Sequence, residues 1–288
     1  MLRHGLIACV LAFSCFASAA SQEKFAILIP GFFNMPEKKQ ANYFSPTVVD
    51  AVTKAGYTPI VVKSLNPVGT FAGNGQLLSR ELAQIVGAHP NTQFTVIAHS
   101  AGGLYLGYAL TAQPNLPIKT VVTISTPYAG AELVELVKWV PGFRTITSAL
   151  DLTSLQEFES NNMAHILGQI KIPQHIRWIA LPAAQPPCHI INCGDAKTQI
   201  WLLSLAWSFS DKTGDGVVAV DSALAKSAQV MSFEGPRKSI ETWPGYVIPL
   251  DHWELNLESH LFTLLGVANT DYIDQQQRRV FTEILGRL

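Results

Sequence analysis

Two hydrophobic rhythms alternate along the first half of the chain. Largely apolar runs at Phe25 to Ile29 and Thr120 to Ser125 read as buried strands, and those at Pro59 to Lys63 and Phe94 to Ile97 as further strands. Between them lie stretches with helical spacing. Ser45 to Ala55 is one, with Pro46 suited to a first turn. Gly75 to Ala88 is the next, carried by Leu77, Leu78, Leu82, Ile85 and Val86, and Leu104 to Ala112 follows. Further on, Ile176 to Leu181 reads as another buried strand and Val217 to Val220 as a strand edge or a turn. Glu254 to Leu265 and Gln275 to Leu285 read as closing helices. Strands that lack polar alternation and are separated by helices predict a mostly parallel sheet covered on both faces.

No internal repeat, low-complexity tract or linker interrupts this order, so residues 21–288 read as one α/β domain with insertions. Two insertions exceed what a simple crossover needs. Residues 128–173 contain Val137-Lys138-Trp139-Val140-Pro141-Gly142-Phe143, and residues 182–211 contain Ile200-Trp201-Leu202-Leu203-Ser204-Leu205-Ala206-Trp207. Each reads either as a helix packed on the core or as an apolar cap or lid over the end of the sheet.

The first twenty residues stand apart. A basic start at Arg3 and His4, a short apolar run from Leu6 to Phe16 and a small-x-small Ala17-Ser18-Ala19 form a secretory signal with cleavage near Ala19 or Ala20. The run is too short to span a membrane. Export to the periplasm or the medium is therefore expected. Of the four cysteines, Cys9 and Cys15 lie in that signal. Cys188 and Cys193 share one Pro-rich loop, and in an oxidising compartment they read as a small disulfide, with two free thiols as the alternative. A net charge of −1 over 288 residues leaves no electrostatic footprint for nucleic acid.

The candidate chemistry centres on Ala98-His99-Ser100-Ala101-Gly102-Gly103, which joins a strand to a helix. A serine on so tight a turn needs small neighbours, and the turn lifts its hydroxyl out of the sheet at the positive end of the next helix. A nucleophilic serine then needs a base and an acid to orient it, in the chain order serine, acid, histidine. That order leaves His252 and His260. His252, in the loop Pro249-Leu250-Asp251-His252-Trp253, suits a general base, whereas His260 falls inside an expected helix. Asp215, between Gly214 and Gly216, is the acid candidate and Asp211 the runner-up. Asp251 is expected to point elsewhere, since neighbouring side chains diverge. An oxyanion hole needs two backbone N–H groups. Ala101 would supply one, and Phe32, in the loop Pro30-Gly31-Phe32-Phe33 after the first strand, would supply the other.

Taken together these residues resemble the α/β-hydrolase superfamily and, more narrowly, exported bacterial lipases and esterases. The resemblance is carried by Ala98–Gly103, by Ile124-Ser125-Thr126-Pro127-Tyr128-Ala129-Gly130 and by Gly214-Asp215-Gly216-Val217-Val218. Pro30-Gly31 stands where the family commonly has His-Gly, and Tyr128 replaces a frequent histidine. The resemblance implies a serine ester hydrolase acting on lipid-like acyl esters, with transient lipid-interface contact and no cofactor. A thioesterase, amidase or acyltransferase would use the same residues, and a catalytically silent periplasmic binding protein is the alternative of another class.

Overall fold

The run Lys24–Ile29 (β1) buries every residue after its first, and its side chains alternate between two cores. Phe25, Ile27 and Ile29 join one hydrophobic cluster, and Ala26 and Leu28 join the other. A strand buried on both faces has no polar side to show, which is why its sequence reads as continuous apolar. The protein is described by a computed structural model at residues 23–32, 42–138, 142, 145, 148, 153–184, 213–224, 232–233, 240–257 and 270–288.

Helix α1 (Pro46–Lys54) follows, then β2 (Tyr57–Val61), α2 (Phe71–Ala88), β3 (Phe94–His99), α3 (Gly102–Ala112) and β4 (Ile118–Ile124). Beyond these lie α4 (Glu132–Val137), a 3₁₀ turn at Thr153–Phe158, α5 (Ser160–Gly168), β5 (Lys171–Ile172) and β6 (Arg177–Leu181). The described elements end with α6 (Val220–Ala223), β7 (Ser232–Phe233), β8 (Glu241–Thr242) and α7 (Thr270–Gly286). The main sheet has six strands in the order β2-β1-β3-β4-β6-β8, and all of its pairings are parallel. Leu78 and Leu82 of α2 and Leu104, Leu106 and Leu110 of α3 fill the core on one face. Val48 and Val52 of α1, with Val280, Phe281 and Ile284 of α7, fill the core on the other.

Local chemistry sets the helix starts. Ser45 caps α1, its Oγ accepting from the Val48 N–H at 3.1 Å, ahead of Pro46. Thr70 caps α2 through the Gly73 N–H at 3.1 Å, which starts that helix at Phe71, ahead of the expected Gly75. The structure decides two further expectations. Val217 to Val220, read as a strand edge or a turn, takes the turn. It is a bend closed by an antiparallel bridge between Gly214 and Ala219, and Val220 opens α6. Glu254 to Leu257, expected in a helix, continue the turn that begins at His252, and 258–265 lie outside the described residues. The strands β5, β7 and β8 have two residues each, too few for a hydrophobic period to register. In the first insertion, Met163, Ile166 and Leu167 of α5 are buried in the main core. The second insertion from residue 185 on, the segment 1–22, Phe33, Cys188, Cys193, Asp211 and His260 lie outside the described residues. Among the described residues no helix is long and apolar enough to cross a membrane.

Candidate active site

Strand β3 delivers Ser100 to the carboxyl edge of the sheet, where the chain must turn at once into α3. Ser100 takes φ +55°, a left-handed conformation that costs a residue with a β-carbon on the order of 1 kcal/mol or more. Its surroundings over-determine that conformation. The Ser100 N–H donates to the Ile124 carbonyl at 2.9 Å, and the Ser100 carbonyl accepts from Thr126 Oγ1 at 2.8 Å and from the Gly103 N–H at 3.2 Å. The small residue two places on is also explained. A β-carbon on Gly102 would sit 2.7 Å from the Pro30 carbonyl and 2.8 Å from that of Ile29. Neither main-chain oxygen can yield without moving β1.

The structure brings Ser100, His252 and Asp215 together. His252 Nε2 lies 2.8 Å from Ser100 Oγ, and its Nδ1 lies 2.8 Å from Asp215 Oδ2. All three are buried, with 5%, 4% and 1% of their surface exposed for serine, histidine and aspartate. The second carboxylate oxygen of Asp215 accepts from the Val217 and Val218 N–H groups at 3.0 and 2.8 Å. The His252 N–H donates to the Asp215 carbonyl at 2.9 Å, so the acid and base loops are joined through their backbones as well. Phe32 lies in the loop that follows β1, and its ring packs edge-on to Phe158 at 5.3 Å. A β-carbon at the adjacent Gly31 would sit 2.7 Å from Ser100 Cβ, which places that loop directly against the nucleophile position. Ala101 is fully buried at the head of α3.

Several supporting residues carried no role in the sequence reading. Asp251 organises the turn around His252. Its Oδ1 accepts from the Trp253 and Glu254 N–H groups at 2.8 Å each, and Glu254 Oε2 accepts from the Asp251 N–H at 3.0 Å. This reciprocal box fixes the turn that presents His252. An acidic residue followed three places later by Glu was a legible signal for it. Burial, and then Glu254 beside it, push the Asp251 carboxyl well above the usual carboxylate range. Gln277 of α7 holds the same turn from behind, donating to the Glu254 and Leu257 carbonyls at 2.7 and 2.8 Å and accepting from Ser45 Oγ at 2.6 Å. His99 lies with its ring centroid 4.6 Å from that of His252 and shares a hydrogen bond of 2.8 Å with the Tyr43 hydroxyl. Burial, and then His252, hold the His99 imidazole well below its ordinary pKa. Tyr128, where the resembled enzymes often carry histidine, is a core residue. Its hydroxyl accepts from Trp178 Nε1 at 2.8 Å and pairs with Thr123 Oγ1 at 2.8 Å.

No model of a known protein family matches the chain. A triacylglycerol lipase of Pseudarthrobacter phenanthrenivorans is 33% identical over 86 residues, 30% of this chain and 26% of that enzyme. The matched stretch thus spans about a quarter of that relative's length. Among solved structures, a metagenomic carboxyl esterase aligns over 92% of this chain and 76% of its own, with a TM-score of 0.65 and 16% identity. A Staphylococcus hyicus lipase aligns over 93% and 95%, with a TM-score of 0.63 and 12% identity. With the six-stranded parallel sheet and its flanking helices, these likenesses establish the α/β-hydrolase fold.

Proposed function

We propose that this protein is a serine hydrolase of carboxylic esters, acting through an acyl-serine intermediate. The observation that carries the reading is the relay of hydroxyl, imidazole and buried carboxylate, linked at 2.8 Å and 2.8 Å. Ser100 Oγ attacks the ester carbonyl carbon while His252 Nε2 takes its proton. The backbone N–H groups of Phe32 and Ala101 receive the developing oxyanion, with the positive end of α3 behind them. His252 returns the proton to the leaving alcohol. It then removes a proton from water, whose oxygen attacks the acyl carbon and releases the acid and free Ser100. Asp215 holds the Nδ1–H tautomer of His252 and stabilises the imidazolium.

The names of the relatives, a triacylglycerol lipase and a carboxyl esterase, support esters with an apolar acyl chain as the substrate class. The signal-like first twenty residues support export to the periplasm or medium, where Cys188 and Cys193 would be oxidised to a disulfide. A fluorophosphonate probe tests the mechanism. Covalent labelling at Ser100 that vanishes in Ser100→Ala is expected, and well-folded wild-type protein that neither labels nor turns over esters would refute it. Esters of rising chain length, with matched thioesters and amides, then define the substrate, and a faster thioester or amide would overturn the ester assignment.

A further inference from the structure

The structure assigns a function to Tyr43 and His99, which the relay of Ser100, His252 and Asp215 does not include. We propose that they are positioning residues that hold the base and the loop after β1 in register with the nucleophile. This rests on the ester-hydrolase reading above. Two parts of the site meet at the Tyr43 side chain, and a third is bonded to its main chain. Its hydroxyl lies 2.8 Å from His99 Nδ1, on the residue before Ser100. The Gly31 backbone packs against the same oxygen. A β-carbon at Gly31 would lie 2.7 Å from that oxygen and 2.7 Å from Ser100 Cβ, so phenol, loop and nucleophile meet within the space of one methyl group. The Tyr43 carbonyl also accepts from Asn256 Nδ2 at 2.8 Å, and the Ser45 N–H donates to the Asn256 carbonyl at 2.7 Å. One short segment is thereby packed against the β1 loop and bonded to the elbow and the histidine turn.

Burial raises the Tyr43 phenol above its ordinary pKa, so it keeps its proton. That hydroxyl shares one hydrogen bond with His99 Nδ1, and the other ring nitrogen of His99, Nε2, is buried without a partner among the described residues. Burial, and then the neighbouring His252, keep the His99 ring uncharged. A neutral ring at 4.6 Å backs the His252 imidazole without repelling the imidazolium that forms during acyl transfer. It also denies His252 the space to swing out of line between Ser100 and Asp215. A chain with hydrophobic packing alone here would not need the hydroxyl.

The test uses the full chain and p-nitrophenyl butyrate. Tyr43→Phe and His99→Leu should lower kcat by about 10- to 100-fold, the scale of a small misplacement of reacting groups, with KM little changed. His99→Asn keeps a hydrogen-bonding group where Nδ1 stood and should recover most of that loss. The double variant Tyr43→Phe/His99→Leu should lose no more than the worse single, because one bond is being broken in each. Unaltered kcat in Tyr43→Phe, a loss carried by KM, no recovery in His99→Asn, or additive losses would each overturn the proposal. If His99→Leu fails to fold by circular dichroism, Tyr43→Phe and His99→Asn decide it. Wild-type protein that neither hydrolyses the ester nor labels at Ser100 ends the hydrolase reading. Wild-type turnover with an unaffected Tyr43→Phe ends only the positioning role.

Discussion

Replacing Asp215 by asparagine exchanges one oxygen for an NH₂ group and reverses a hydrogen bond. Asp215 Oδ1 accepts from two backbone N–H groups, of Val217 and Val218, and Oδ2 accepts from His252 Nδ1. The substituted side-chain amide must choose which of its two ends faces the histidine. If its oxygen turned to His252, its NH₂ would face both valine amides and leave two buried donors unsatisfied, at about 1–3 kcal/mol each. The oxygen therefore stays with the valines and the NH₂ faces His252 Nδ1. That selects the imidazole tautomer with its proton on Nε2, which points at Ser100 and cannot accept from it. With the geometry intact and the tautomer wrong, the expected loss in kcat is about 10⁴-fold, or roughly 5.4 kcal/mol of barrier. KM should move little, and the melting temperature should fall by only a few degrees. Initial rates on a p-nitrophenyl ester against enzyme concentration, with a calorimetric melt of the same sample, decide the matter. A loss below tenfold in folded protein would refute the assignment of Asp215, as would a loss expressed in KM alone.

Other consequences are equally direct. Thr126→Val removes the hydroxyl that donates to the Ser100 carbonyl and should cost about tenfold in kcat, with a lowered urea midpoint. Unchanged values in both assays would show that the elbow does not need that bond. Gly102→Ala drives a β-carbon against the Pro30 and Ile29 carbonyls and should destabilise by about 1–3 kcal/mol, read from urea unfolding. Asp251, with its carboxyl raised by burial and by Glu254, binds a proton in the folded state over a pH range in which the unfolded chain has already released it. Its contribution to stability is therefore full below the unfolded value, about 3.9, and is lost as pH climbs through the raised folded value. Asp251→Asn keeps the acceptor for the Trp253 and Glu254 amides and should flatten that decline in melting temperature. An unchanged slope from pH 4 upward (about the unfolded carboxyl value) would count against the proton.

The apolar runs at Phe25, Phe94, Thr120 and Ile176 were legible as strands because each is buried on both faces, a requirement every residue of the run must meet locally. The elbow was legible for a related reason. Its tight turn and its approach to β1 restrict side-chain size at fixed offsets from Ser100, so the restriction is written in neighbouring letters. Chain order narrowed the base to His252 or His260, and loop position and flanking glycines then favoured His252 and Asp215. Contacts across long separations left no such mark. Tyr43 and His99 are 56 residues apart, and Ser45 and Gln277 are 232 apart. A tyrosine or glutamine that would be ordinary on a surface becomes part of the site only once folding brings it there. Glu254 to Leu257 read as the start of a helix, but reciprocal bonds between Asp251 and Glu254 and the Gln277 amide hold them in the turn that begins at His252. Local sequence thus determined which segments must be buried and where the backbone must bend sharply. Only the tertiary structure decided which distant polar groups meet there, because a hydrogen bond between remote residues depends on their relative placement and not on either residue's neighbours in the chain.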